Sequence, residues 1–428
     1  MLGYIALIIA VLLQAGYTAY CFKSKSRQPG LKRIMRLCAL GIVLLLLCLG
    51  VFQWSFRWAP LVVVLLILST GSLIGLFIRA KEKPFRRGRV ILSGIGGAIL
   101  FGAALLPAIL FPQYEHPAIT GQYGVATAQY TYVDESREET YSSAGGNREV
   151  NVALWYPEGA DGKFPLVVFS HGFCGVKNSN ESAFMELASH GYVVCSIDHP
   201  YHSFFTVNAE GKVTVVDAGY MGEYAALGNN KAENLKLFQK WMDIRVSDMN
   251  FVIDTILQND SGVYGLVDHS KIGVFGHSLG GAAAMGIPRV RKDIDAVINI
   301  DAPMMCEFTG VENGSYTVNP EPYPVPLLHI YSQYLYENGI LKDDEEYFEN
   351  RLVSAMAPAF YEVVFGGAQH MSLTDLSLYS PILANALDSG RKAEIDNYYC
   401  LETMNRIILE FFDCYLKDTG SFHSAGMY

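Results

Sequence analysis

Gly276-His277-Ser278-Leu279-Gly280-Gly281 follows the short apolar run Lys271 to Phe275 and leads into Ala282-Ala283-Ala284. The pattern places Ser278 where a buried strand bends sharply into a helix and lifts a hydroxyl out of the turn. Glycine at 276 and 280 fits that reading, because a side chain at either place would collide with the neighbouring strand or helix. A Gly-x-Ser-x-Gly match also occurs at ordinary strand-to-helix turns, so the surrounding chain has to carry the case.

Outward from the elbow, short apolar runs alternate with amphipathic segments from Gly121 onward, as in a mainly parallel sheet wrapped by helices. The predicted strands are 123–132, 149–156, 166–170, 192–197, 271–275, 296–300, 327–330 and 362–365. Eight strands with the nucleophile after the fifth is the layout of an α/β-hydrolase, with helices on both faces of the sheet. Asn178 to His190 reads as a helix stopped by Gly191, and Asn397 to Lys417 as a closing helix with Ile407, Ile408, Phe411, Phe412 and Tyr415 on its packing face. Residues 204–240 break the alternation. They begin as a hairpin around Ala209-Glu210-Gly211 and read either as a lid or as a surface loop.

A serine nucleophile needs a base, ordinarily a histidine oriented by a carboxylate, and in this fold the chain order is serine, acid, histidine. Only His329, His370 and His423 follow Ser278. His329 lies inside an apolar strand and His423 in a polar tail, whereas His370 comes just after the eighth strand, so the catalytic base is read as His370. For the acid, Asp301 ends the run Ala296 to Ile300 and emerges at the same sheet edge as Ser278. Glu337, after the seventh strand, is its rival, and Asp343, Asp344, Glu345 and Glu346 read as a solvated helix start. Ser170-His171-Gly172-Phe173-Cys174-Gly175 supplies a turn for an oxyanion hole, with the N–H groups of Phe173 and Leu279 as donors. His171 reads as a structural neighbour. Cys174 has no base placed beside it and reads as non-catalytic.

The front of the chain has a different chemistry. Residues 1–111 hold 13 Lys and Arg against the single acid Glu82; the chain totals of 32 and 42 leave 19 basic and 41 acidic residues for 112–428. Four apolar stretches, 2–20, 37–56, 61–78 and 90–111, approach the ~20 residues needed to cross a bilayer and are read as four transmembrane helices. Met1-Leu2-Gly3-Tyr4 lacks the basic start of a signal peptide. Basic clusters at Lys23 to Arg36 and at Arg79 to Arg89 favour the cytoplasmic side, which puts the hydrolase domain outside the cell membrane. The resulting organisation is a membrane region over 1–111, a linker over 112–120 and the hydrolase domain over 121–428. The acidic balance of that domain argues against nucleic acid as a partner.

Eight cysteines are present, of which Cys174, Cys195, Cys306, Cys400 and Cys414 fall in the domain, so at least one is unpaired there. Cys400 and Cys414 share a helical segment about 21 Å apart and do not bond to each other. No Cys/His spacing suits zinc and no Gly-rich stretch suits a nucleotide phosphate, so no metal and no cofactor is expected.

With these residues in hand, the domain resembles the platelet-activating-factor acetylhydrolases, a family of α/β-hydrolase phospholipases. The resemblance runs through Phe169-Ser170-His171-Gly172, Ala188 to Val194 leading to Asp198-His199, the elbow at Ser278, Asp301-Ala302-Pro303-Met304, Ile330 to Tyr334, and His370. It implies Asp301 as the acid, independence from calcium, and removal of short or oxidised acyl chains from the sn-2 position of phospholipids. Dienelactone-hydrolase-like and polyester-hydrolysing proteins share several of these motifs. This chain departs from the family in its four front segments and in Pro303, which stands where the family often has Trp. The expected function is a membrane-tethered serine esterase acting on a lipid ester through an acyl-enzyme on Ser278. The alternatives are a general carboxylesterase or polyester hydrolase, and a catalytically dead membrane sensor or scaffold.

Overall fold

The computed structural model describes residues 2–77, 84–142, 145–342 and 347–428. Ile78, Arg79, Lys81 and Lys83 of the third apolar stretch and second basic cluster, and the acids from Asp343 to Glu346, lie outside the described residues. The chain divides into two units, Met1–Glu115 with Leu378–Leu383, and His116–Ser377 with Ala384–Tyr428.

The larger unit is built on one sheet of nine strands: β1 Val125–Glu138, β2 Asn147–Pro157, β3 Phe164–Ser170, β4 Val193–Asp198, β5 Val267–His277, β6 Ala296–Ile300, β7 Leu327–Ser332, β8 Phe360–Phe365 and β9 Gly426–Met427. Their order is β1-β2-β4-β3-β5-β6-β7-β8-β9. β2 pairs antiparallel with β1 and β4, and every pair from β4 to β9 is parallel. The expected eight strands are all present. The ninth, β9, corrects the strand count: two residues carry no apolar pattern for a reader to find.

β4 and β6 are buried along their whole length, as continuous apolar runs in a sheet covered on both faces should be. The rings of Phe169 and Phe275, 4.7 Å apart, meet Phe184 on one side and Phe412 on the other, tying β3 and β5 to their helices. Each such ring, fully buried, contributes about 2–3 kcal/mol. The register then aligns the strand ends that matter. Ser170 pairs with Gly276, His277 with Ile300, and Ile300 with Ile330, so the chain leaves β3, β5, β6 and β7 at one edge. In an open parallel sheet that edge is where ligands bind.

Among the described residues up to Glu115, the smaller unit has four helices: α1 Leu2–Ser24, α2 Pro29–Cys48, α3 Ala59–Phe77 and α4 Arg87–Leu110. Among the described residues three of them, α1, α3 and α4, are long and apolar enough to cross a membrane. The expectation of four transmembrane helices is therefore corrected at the second. α2 starts at Pro29, takes in Lys32, Arg33 and Arg36, and stops at Cys48 before Gly50 turns the chain with φ +73°. The apolar stretch 37–56 thus lies only partly in helix. Its continuation folds back, with Phe52 stacked on Trp58 at 3.9 Å. α1 and α4 pack closely through small residues, since a Cβ on Gly3 would lie 2.5 Å from the Ala108 carbonyl oxygen.

Candidate active site

The turn at Ser278 is strained in the way the sequence implies. Ser278 has φ 54° and ψ −130°, positive φ being rare outside glycine, and α5 (Leu279–Val290) starts at the next residue. Its N–H donates to the Ile300 carbonyl at 2.8 Å, locking the turn to β6. A Cβ on Gly276 would sit 2.3 Å from the Gly280 oxygen, and one on Gly280 would sit 2.0 Å from the Ser170 oxygen, so both positions exclude any other residue. Leu279 to Pro288 are buried without a break, a small-residue helix pressed into the sheet, while Ser278 itself stays half-exposed.

Asp301 and His370 come to the same edge. Asp301 follows β6 with φ 53° and donates its N–H to the Ile330 carbonyl at 2.8 Å. Its fully buried carboxylate accepts from the Ser332 N–H at 2.7 Å, the Ser332 hydroxyl at 2.8 Å and His370 Nδ1 at 2.8 Å. Three donors fix the carboxylate, and the carboxylate in turn fixes the imidazole. His370 opens a short 3₁₀ turn after β8 and is about one quarter exposed. Gly367, at φ 75°, makes the bend between β8 and His370, and its N–H is held by Gln333 Oε1 at 2.6 Å. The ring of His277, next to Ser278, lies 4.4 Å from the His370 ring, and its Nε2–H meets the His370 carbonyl at 3.2 Å. Burial, reinforced by His370, holds His277 well below its ordinary pKa, so it is neutral and adds no competing charge.

The rival residues lie elsewhere. His329 is fully buried between Asn299, at 3.0 Å, and Ser354, at 2.9 Å, and burial pushes its pKa down to about 3. Glu337 is exposed and accepts from Gln333 at 2.7 Å. His423 is exposed in the tail. Cys174 has its thiol pKa pushed up to about 11 by burial and points its Sγ at Met221 Sδ, 3.3 Å away. All eight cysteines are free thiols.

The loop after β3 passes against Ser278: a Cβ on Gly172 would lie 3.0 Å from Ser278 Cβ. Its turn is closed by the Gly175 N–H to the Gly172 carbonyl at 3.1 Å, which leaves Phe173 and Cys174, the latter at φ 49°, at the corner. Leu279 is the first residue of α5, so its N–H is among the unpaired donors of a helix start. The loop is held from beneath by Arg245, a fully buried guanidinium that donates to the His171 carbonyl at 2.5 Å and the Gly172 carbonyl at 3.3 Å. With those carbonyls drawn inward, the loop cannot relax away from the elbow.

Beneath Arg245 lies a second constellation that the sequence reading missed. Ser170 Oγ meets His199 Nε2 at 2.9 Å, and His199 Nδ1 meets Asp248 Oδ2 at 2.8 Å. Arg148 clasps Asp248 with two bonds, at 3.1 and 2.6 Å. Burial would raise the Asp248 pKa, but Arg148 and His199 hold it far below the usual range; burial pushes His199 down to about 4 in spite of Asp248. A signal for two of these residues was present. α6 (Lys231–Leu257) buries Phe238, Trp241, Met242, Arg245, Asp248, Met249 and Val252 on one stripe, so two charges stand on an apolar face, where charges are rare unless paired. His199 and Arg148 offered no comparable local signal.

Residues 204–240 begin as the expected hairpin, Phe205–Val207 against Val213–Val215. They then form a two-turn helix, Ala218–Ala225, capped by the Asp217 side chain on the Tyr220 N–H at 3.0 Å. The hairpin joins the loop after β3 through the Phe204 N–H to the Gly175 carbonyl at 3.1 Å, and Tyr224 stacks on Phe173 at 3.8 Å.

Comparison with known proteins bears on the family and the fold. The family model described as platelet-activating factor acetylhydrolase, isoform II, matches residues 135–424. The platelet-activating factor acetylhydrolase of Cavia porcellus is 23% identical over 270 residues, covering 59% of this chain and 58% of that protein. A protein of Arthroderma benhamiae named a probable 1-alkyl-2-acetylglycerophosphocholine esterase is 26% identical over 159 residues, covering 37% of this chain and 36% of its own. The chain thus spans less than two thirds of the length of the relatives it matches. A ferulic acid esterase from Streptomyces cinnamoneus superposes with a TM-score of 0.55 at 22% identity, over 72% of this chain and 94% of that one, and shares the α/β-hydrolase fold. The chain belongs to the platelet-activating factor acetylhydrolase isoform II family.

Proposed function

We propose that the protein is a membrane-tethered serine esterase that removes short or oxidised sn-2 acyl chains from phospholipids. The observation that carries the reading is the Asp301–His370 pair, 2.8 Å long and fixed by Ser332, at the same sheet edge as a strained, half-exposed Ser278. His370 takes the Ser278 proton as Oγ attacks the ester carbonyl carbon, and Asp301 stabilises the imidazolium that forms. The N–H groups of Leu279 and Phe173 hold the oxyanion of the tetrahedral intermediate. That intermediate collapses by expelling the lysophospholipid alkoxide, which receives the proton from His370, and leaves an acyl ester on Ser278. Water, deprotonated by His370, attacks the acyl ester and releases the carboxylic acid, restoring Ser278 and the neutral histidine.

A lipid substrate is supported by the family and by the surface beside the loop. Phe204, Phe205, Val213 and Val215 are exposed on the hairpin that is hydrogen-bonded to Gly175, an apolar fringe suited to lipid rather than to a soluble ester. The tether is formed by α1, α3 and α4. Its orientation follows from α4 alone: Arg86, Arg87 and Arg89 precede its apolar stretch and no Lys or Arg follows before Arg137, which favours an extracytoplasmic hydrolase unit.

The test is hydrolysis of two phosphatidylcholines differing only in an sn-2 acetyl or palmitoyl chain, by detergent-purified protein with Ser278→Ala as control. Release of acetate in preference to palmitate, lost in the variant, is expected. Ser278-dependent cleavage of a nitrophenyl ester with neither lipid hydrolysed would make the protein a general esterase. No cleavage of any ester would make it a dead scaffold.

A further inference from the structure

The helical unit contains a cavity of about 290 Å³ that the esterase reading does not use. One wall follows α1 from Leu2 through Ile9 and Leu13 to Tyr17, a rise of about 22 Å along the helix. The facing wall is Ala39, Val43 and Leu46 of α2, and α3 and α4 close it with Leu65 and Leu105. The lining is apolar except at one end, where Gln14, Tyr17, Lys32 and Arg36 converge.

That end carries positive charge that no carboxylate among the described residues neutralises. Lys32 and Arg36 are both half-buried. Lys32 directs one donor to the Ser93 hydroxyl at 2.7 Å, which leaves others unused. The Arg36 guanidinium has no hydrogen-bond or ion-pair partner among the described residues. From Leu2 to Phe111 the only carboxylate is Glu82, which lies outside the described residues. A guanidinium and an ammonium partly withdrawn from water call for an anion, and the described residues from Leu2 to Phe111 hold none.

We propose that the cavity is a binding site for an anionic phospholipid, with one acyl chain lying along α1 and the phosphate between Lys32 and Arg36. The apolar slot continuous with the cations selects a lipid over free phosphate. The two cations without a carboxylate select an anionic headgroup over choline, whose ammonium would face like charge. Basic pockets between membrane helices bind anionic headgroups elsewhere for the same physical reason. None of the lining residues belongs to the unit that carries Ser278, and the bound lipid is one that is retained rather than hydrolysed.

The test uses full-length protein, delipidated in detergent and titrated with phosphatidylglycerol or phosphatidylcholine of identical chains, with bound lipid counted by native mass spectrometry. One phosphatidylglycerol per chain is expected, with at least roughly tenfold preference over phosphatidylcholine, equivalent to about 1.4 kcal/mol. Lys32→Gln with Arg36→Gln abolishes the preference, Arg36→Lys keeps it, and Ser278→Ala leaves it unchanged even if the esterase reading fails. Ala39→Phe, which fills the slot, lowers retention of both lipids while the charge pair stays intact. Equal retention of the two lipids by the unaltered protein, preference surviving in the double variant, or displacement of the lipid by inorganic phosphate would each overturn the proposal.

Discussion

Two serine–histidine–aspartate constellations stand within this one unit, and they differ in everything but composition. Ser170, His199 and Asp248 are all fully buried, and Ser170 is an ordinary strand residue. Ser278 is half-exposed on a positive-φ turn, and His370 is partly open to solvent over a buried Asp301. In the buried set, Arg148 already neutralises Asp248 and burial keeps His199 uncharged, so an imidazolium there has no compensating anion. In the open set, among the described residues, Asp301 has no arginine partner, and its carboxylate's donors other than His370 come from Ser332. The contrast teaches that the three residue types alone do not identify a catalytic triad. On the proposed reading, access to the hydroxyl and an uncommitted carboxylate mark the set that carries the chemistry.

Asp301→Asn is expected to lower kcat by about 10⁴ with KM little changed, because the amide holds the wrong imidazole tautomer; steady-state kinetics on a short-chain ester checks this. The next largest effect belongs to the buried set and reads out as stability. His199 has its folded pKa lowered to about 4 from an ordinary 6.5, so the unfolded chain binds more protons between those values and stability rises with pH there. Lowering the pH from 7 to 4 removes about 3 kcal/mol through this group, and His199→Gln flattens that window in denaturant titrations across pH. Arg245→Met couples the two sets. It releases the His171 and Gly172 carbonyls, loosens the oxyanion loop, and reduces kcat roughly tenfold to a hundredfold while Ser278 still reacts with a covalent probe. Ser170→Ala, the smallest effect, costs about 1 kcal/mol in unfolding free energy and leaves kcat within a factor of three. If Ser170→Ala abolished turnover, the two constellations would have to exchange roles.

The open set was legible from sequence because each member directly follows an apolar run: Ser278 after β5, Asp301 after β6, His370 just past β8. Strands buried on both faces advertise themselves, and their ends locate the sheet edge. The buried set was not legible as a set. Ser170, His199 and Asp248 are far apart in the chain: Ser170 and His199 meet through the pairing of β3 with β4, Asp248 arrives from α6 and Arg148 from β2. Only the charges on the apolar stripe of α6 gave a local sign. Ser332, which orients Asp301, closes an apolar strand and had no distinguishing pattern. The helical unit was over-read for a different reason. Hydropathy runs through Leu49 to Phe56, but backbone geometry ends α2 at Cys48, and three basic residues occupy its opening turns.

The most direct measurement of the central claim is covalent labelling of the full-length protein with a fluorophosphonate, followed by peptide mapping. The account predicts a single modified serine, Ser278, with labelling greatly slowed in Asp301→Asn and unchanged in Ser170→Ala. Modification of Ser170, or none in correctly folded protein, would contradict it.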